Sequence, residues 1–118
     1  MHELGVVFYV IKDVKEVALQ NNINKVNSVT LDIGEVSGVI HEQLIDCWDW
    51  AKKREPVLEE AVLKINTIKA VTFCEDCKKE YETVAHGKIC PYCGSENTYL
   101  LEGNEFSIKE IEVPDEDN

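Results

Sequence analysis

The sequence predicts an α+β fold: a small sheet of about three strands covered by two helices, with an inserted tetracysteine zinc-ribbon-like domain. Three observations point there. Apolar residues recur at helical and then at strand spacing, two Cys-x-x-Cys pairs follow, and a strand-like run returns after them.

Residues 4–19 carry Leu4, Val7, Phe8, Ile11, Val14 and Ala18 at intervals of three and four, with Lys12, Asp13, Lys15 and Glu16 between them. That is one amphipathic helix, and Asn21 and Asn22 are its stop residues. Over residues 26–34 the period becomes two, with Val29, Leu31 and Ile33 alternating with Ser28, Thr30 and Asp32. A half-buried strand has this pattern, and Gly34 ends it. Ser37 is expected to cap a second helix by accepting an early backbone N–H. Ile40, Leu44, Cys47, Trp48 and Ala51 line one side of that helix, and Pro56 breaks the chain beyond it. Ala61, Leu63 and Ile65 mark a second strand over 61–68. A third covers Phe106–Val113, where the alternation slips at Glu110 and predicts a bulge or a twist. The tail Asp115-Glu116-Asp117-Asn118 reads as a solvated end.

A strand pair does not stand alone in water, so the three strands are expected in one sheet. The last strand must then return to that sheet after the cysteine segment. This places a zinc domain at 70–103 as an insertion in an α+β domain formed by 1–69 and 104–118.

The net charge of -11 opposes wrapping a phosphate backbone, which needs clustered Lys and Arg. Near the cysteines the basic residues are Lys78, Lys79 and Lys88, and Tyr81, Tyr92 and Tyr99 are expected to pack a mini-core rather than stack bases. A nucleic-acid partner is therefore not expected. No apolar run is long enough for a membrane span, and no secretory signal is visible, so the cytoplasm is the expected location. Cysteines stay reduced there, which favours metal over disulfides.

Cys74-Glu75-Asp76-Cys77 and Cys90-Pro91-Tyr92-Cys93-Gly94 supply four thiolates. Two residues between thiols let one tight turn aim both sulfurs at a single ion, and two such turns complete a tetrahedron. Four thiolates leave no open coordination position, so the expected ion is structural zinc, with rubredoxin-like iron as the alternative. A segment this short cannot fold on a hydrophobic core alone, and metal binding supplies the difference. Cys47 is expected to be a buried, inert thiol.

The chain opens Met1-His2-Glu3-Leu4. A free terminal amine, the following backbone nitrogens and the His2 imidazole can close adjacent chelate rings around one ion. Deprotonated amides favour square-planar nickel(II) or copper(II).

That opening resembles the HypA/HybF family of hydrogenase-maturation nickel metallochaperones. So do the stretch from Val29 to Val39, the two Cys pairs, and Gly103-Asn104-Glu105-Phe106-Ser107-Ile108 leading into Ile111-Glu112-Val113. The resemblance spans nearly the whole chain in the right order. It implies a nickel domain with an inserted zinc domain, nickel bound at Met1, His2 and Glu3 with His2 the essential ligand, and zinc on Cys74, Cys77, Cys90 and Cys93. It also implies delivery of nickel to the large subunit of a nickel-iron hydrogenase, together with the pathway's GTPase HypB, and no enzymatic activity. Gly5 stands where the family commonly has Ser, and no His directly follows either Cys pair. His86 is expected in a solvated loop, with an approach to His2 as the alternative, and His41 is expected at the surface. The competing reading is a zinc-ribbon protein–protein interaction module without nickel function, which leaves the Met-His-Glu opening unexplained.

Overall fold

A computed structural model describes residues 3–114. Among them the order is α1 (Glu3–Gln20), β1 (Ser28–Gly34), α2 (His41–Ala51), two single 3-10 turns (Lys52–Arg54 and Pro56–Leu58), β2 (Val62–Ile68), β3 (Val71–Cys74), β4 (Glu80–Glu82), α3 (Thr83–His86), β5 (Thr98–Glu102) and β6 (Phe106–Glu112). The α+β class and the three-strand sheet are as expected, in the order β2-β1-β6. β2 runs parallel to β1, through Val62 N–H to Asn27 O at 3.0 Å and Glu35 N–H to Ile68 O at 2.8 Å. β6 runs antiparallel, through Asn27 N–H to Glu112 O and Gly34 N–H to Glu105 O. A parallel neighbour needs a crossover, and the segment containing α2 supplies it.

By its internal contacts the chain divides into two compact units. The first comprises Met1–Leu31, Val39–Asn66 and Ser107–Asn118. Its core holds Val7, Val10, Val14 and Ala18 of α1, Leu44, Trp48 and Ala51 of α2, and Val29 and Leu31 of β1. The fully buried Trp48 keeps its indole N–H satisfied by the Ala61 carbonyl at 2.9 Å. α1 stops as the sequence indicates: Asn22 takes φ +55°, and the Asn21 side-chain amide donates to Val17 O.

Three expectations need correction. In α1 the buried stripe includes Val10, while Leu4 and Phe8 are 37% and 47% exposed. Residues 6–11 are apolar throughout, so their spacing leaves the rotational phase of the helix open, and packing sets it. In α2 the N-cap residue is Ile40, without a side-chain cap bond and largely exposed, rather than Ser37. Ser37 instead closes a turn on Gly34 O, and Gly38 at φ +83° redirects the chain before the helix can start. Cys47 is half-buried and lines a shallow groove with Leu4, Asp46 and Trp50. In β6 the half-buried positions are Phe106, Ile108 and Ile111, which is the phase slip read from the sequence.

The second unit comprises Asp32–Gly38 and Thr67–Phe106 and contains a sheet that the sequence analysis did not anticipate, β4-β3-β5. Both pairings are antiparallel, with Phe73 opposite Glu80 on one side and Tyr99 on the other. Gly34-Glu35-Val36 is bonded to chain on both sides of the cysteine segment. Glu35 N–H donates to Ile68 O, the Glu35 carboxylate accepts Ala70 N–H at 2.9 Å, and Val36 N–H donates to Gly103 O at 2.8 Å. A Cβ added to Gly34 would lie 2.0 Å from the Gly103 carbonyl oxygen, so glycine is required there for close backbone approach. Gly103, at φ +115°, is held by a bond from its N–H to the Glu105 carboxylate at 2.7 Å. No helix among the described residues is long and apolar enough to cross a membrane.

Gly34→Ala is expected to lower the unfolding free energy of the zinc-loaded protein by about 2–3 kcal/mol in urea titrations, because the obstructing atoms are backbone. Gly38→Ala, which meets nothing within 4 Å, is expected to cost only about 1 kcal/mol for its positive φ. Equal costs at the two positions would contradict the close-approach explanation.

Candidate metal centre

The four cysteines of the two pairs converge, as the spacing predicts. Cys74 Sγ and Cys93 Sγ are 3.6 Å apart, as are Cys77 Sγ and Cys90 Sγ, and all four sulfurs lie within 4.8 Å of one another. A zinc ion at about 2.3 Å from each sulfur demands tetrahedral edges of about 3.8 Å, so the donor set fits zinc. All four are free thiols rather than disulfides, and the observed separations are far beyond an S–S bond of about 2.05 Å. Cys74 and Cys90 are buried, Cys77 is half-buried and Cys93 is exposed.

Two turns of the same design aim the sulfurs. In the first, Lys78 N–H returns to Cys74 O and Cys74 N–H donates to Lys79 O, both at 2.9 Å. In the second, Gly94 N–H returns to Cys90 O at 2.8 Å and Cys90 N–H donates to Ser95 O at 2.9 Å. The residue after each pair takes a left-handed conformation, Gly94 at φ +74° and Lys78 at φ +62°. Gly94 does so without a Cβ clash, whereas Lys78 carries the strain that a side chain brings there.

A bond network ties the two turns together. The Asp76 carboxylate accepts from the Ser95 hydroxyl and, at 3.4 Å, from the Asn97 amide, while Asn97 N–H donates to Ser95 Oγ at 2.9 Å. The Ser95 hydroxyl, then Asn97, hold the Asp76 carboxyl below the usual carboxylate range. Sequence reasoning missed this brace; its one signal was the Ser-x-Asn turn chemistry after Gly94.

Around the thiols lies a very small core of Tyr81, Cys74 and Cys90, with Cys77 packed against it. The Tyr81 hydroxyl donates to Gly87 O at 2.8 Å. Burial pushes the Cys90 thiol up, but the N–H groups of Tyr92 and Cys93 and the neighbouring thiols outweigh it, bringing it to about 7. The Ser95 N–H favours the Cys93 thiolate, but burial and the other three sulfurs push that thiol up to about 12. Four thiolates held this close repel one another, so a divalent cation is the partner that the cage suits.

Of the expected nickel ligands, Met1 and His2 lie outside the described residues. Glu3 is the first residue of α1 and is buried, and its carboxylate accepts the Ile40 N–H at 3.1 Å. His41 opens α2 and is half-buried, so its expected place at the surface is only partly met. His86 ends α3, exposed, with its ring edge-on to Tyr81 at 5.9 Å.

Comparison with known proteins adds a family. The family model described as "Hydrogenase/urease nickel incorporation, metallochaperone, hypA" matches residues 1–113. The chain is 35% identical over 112 residues to the hydrogenase maturation factor HybF of Klebsiella pneumoniae, covering 95% of this chain and 98% of that one. It is 36% identical over 113 residues to HypA of Rhizobium leguminosarum bv. viciae, covering 96% and 99%. The solution structure of the Ni metallochaperone HypA from Helicobacter pylori aligns with a TM-score of 0.70 at 28% identity, covering 98% of this chain and all of that one.

Removing zinc with a chelator is expected to collapse the amide NMR signals of 71–102, which lose a metal contribution of order 10–16 kcal/mol. Those of α1 and α2, held by the Trp48 core, are expected to persist. Simultaneous loss of both sets would contradict an independently stabilised zinc segment.

Proposed function

Because the chain belongs to the HypA family of nickel-incorporation metallochaperones, we propose that it captures Ni(II) through Met1, His2 and Glu3 and hands it on during maturation of a nickel-iron hydrogenase. The tetracysteine cage is the resident zinc site, and nickel is cargo. The observation that carries the nickel reading is the Met-His-Glu opening joined to a helix that begins at Glu3. The proposed nickel donor next to the His2 amide is the Glu3 backbone nitrogen. With a free amine on Met1, the His2 amide and the His2 imidazole, the donors are nitrogen throughout.

In this reading 70–103 is the inserted zinc domain and 1–69 with 104–118 the nickel domain. The pathway's GTPase HypB and the hydrogenase large subunit are the partners, the cytoplasm is the location, and the chain performs no catalytic step. The acidic surface, with a net charge of -11, raises the local concentration of divalent cations. The four thiolates do not release their ion readily, whereas nitrogen donors at a chain end can be reached by a partner and emptied.

Calorimetric titration of zinc-loaded, untagged protein tests this. His2→Ala is expected to abolish tight nickel binding with zinc content unchanged, and residues added before Met1 should do the same by moving the amine. Nickel binding by either variant equal to that of the parent would contradict the site, and an interaction module without nickel function would tolerate both changes.

The pH dependence has a fixed sign. The imidazole titrates near about 6.5 and the terminal amine near about 7.7–8.0, so protons compete with nickel as pH falls. Nickel affinity is expected to be high at about pH 8 and to drop steeply by about pH 6 while zinc stays bound. A flat affinity across that interval would contradict these ligands.

A further inference from the structure

We propose that the outer edge of β5 (Thr98–Glu102) is a docking edge, which takes an extended, basic segment of a partner protein as an added strand. The inference stands apart from the nickel reading. In the sheet β4-β3-β5 the two outer strands are built differently. β4 is three residues long, carries exposed Glu80 and Glu82, and runs straight into α3. Glu82 is also paired with Lys69. Short length and charge are ordinary means of keeping other chains off a sheet edge. β5 has neither along its middle. In its run Thr98-Tyr99-Leu100-Leu101-Glu102, the three central residues are 48%, 38% and 45% exposed. Among the described residues no strand lies on the far side of β5. Beyond its end the chain is closed, where Val36 N–H donates to Gly103 O at 2.8 Å.

The register fixes what an added strand would meet. Phe73 lies opposite Tyr99, with ring centroids 5.5 Å apart, so one face of the edge is aromatic. Thr72 lies opposite Leu100 and Cys74 opposite Thr98. Thr72, Thr98 and Leu100 line a groove together with Val36, Thr83 and Lys88. The Thr72 and Thr83 hydroxyls bond each other at 2.6 Å, and the Thr98 hydroxyl donates to Lys88 O at 2.7 Å. With those hydroxyls satisfied, the groove offers methyl groups and leucine to an apolar side chain. Backbone bonds to β5 then give affinity, and the groove selects alternate side chains of the added strand. Leu101 is the extra residue of a bulge between the pairs Val71–Glu102 and Thr72–Leu100. Regular pairing ends there, so the added strand runs along Thr98–Leu100 and covers Leu101 at its end.

Charge selects the occupant. Glu96 and Glu102 are exposed just before and at the end of the strand, and the net charge is -11. A basic segment is drawn to this edge, whereas a second copy of the chain brings like charge to it.

The test titrates the isotope-labelled, zinc-loaded full chain with short acetylated peptides that alternate threonine with valine or leucine and carry lysine at both ends. The amide signals of 98–102 are expected to shift and to gain protection from hydrogen exchange. Methylating the peptide nitrogens that face β5 is expected to weaken binding by about tenfold or more, the scale of one or two backbone hydrogen bonds. Glutamate in place of the terminal lysines should weaken it too, by a margin that shrinks as salt is raised. Leu101→Lys puts a charge on the edge and should weaken binding, with zinc content and melting temperature little changed. The methylated peptides probe the same edge without altering the protein.

No binding by any lysine-ended peptide, or shifts confined to residues outside 98–102, would overturn the proposal. Equal affinity for methylated and unmethylated peptides would overturn it as well, because the contact would then be a side-chain patch. A dimer of the parent chain that Leu101→Lys abolishes would assign the edge to a second copy and overturn the proposed occupant.

Discussion

The convergence of four sulfurs on one tetrahedron is the constraint that the cysteine segment cannot do without. Its core amounts to one tyrosine and the cysteines themselves, far short of what a segment of this size needs to fold by burial. The three short strands β3, β4 and β5 accordingly hang on two turns, and those turns are defined by where their sulfurs must point. A hydrogen bond from the Tyr92 N–H to Cys90 Sγ, and the brace from Asp76 to Ser95 and Asn97, hold the sulfur-bearing turns in the folded segment. Zinc then supplies the free energy that the missing hydrophobic core does not.

In the proposed function, two donor chemistries divide the metals between two sites. Thiolates are soft and, four at a time, close the coordination shell, which suits an ion that stays. Amine, amide and imidazole nitrogens at a chain start suit Ni(II), and protons compete with the metal for them. Acid is therefore expected to loosen the proposed cargo site through its ligands rather than through unfolding. The cage holds four sulfurs within 4.8 Å of one another, so a divalent ion relieves the repulsion among their thiolates. The net charge of -11 favours divalent cations near the surface.

Much of the fold was legible in the sequence because its signals are local. The period change after Asn22, the strand at Val29–Ile33 and the paired cysteines all announce themselves within a few residues. What was not legible depends on contacts across the chain or on runs too short to show a period. β3 and β4 span only four and three residues, so their alternation could not be read. The phase of α1 was ambiguous because residues 6–11 are apolar on every side, and packing chose Val10 over Leu4 and Phe8. Ser37 had the right chemistry for a cap, but the backbone there is committed to the turn at Gly34. The bond from Ile40 to Glu3 spans 37 positions, and no pattern in the sequence encodes it.

At the proposed nickel site the sequence and the structure contribute different parts. Met1 and His2 are chemical inferences from residue type and position, and Glu3 is the residue whose surroundings the structure describes. Nickel K-edge X-ray absorption on the full chain, loaded with equimolar zinc and nickel, tests the separation of the two metals most directly. A nickel shell of nitrogen and oxygen donors with no sulfur, beside zinc with four sulfurs, is the predicted result. Nickel–sulfur scattering in protein that keeps its zinc would contradict it.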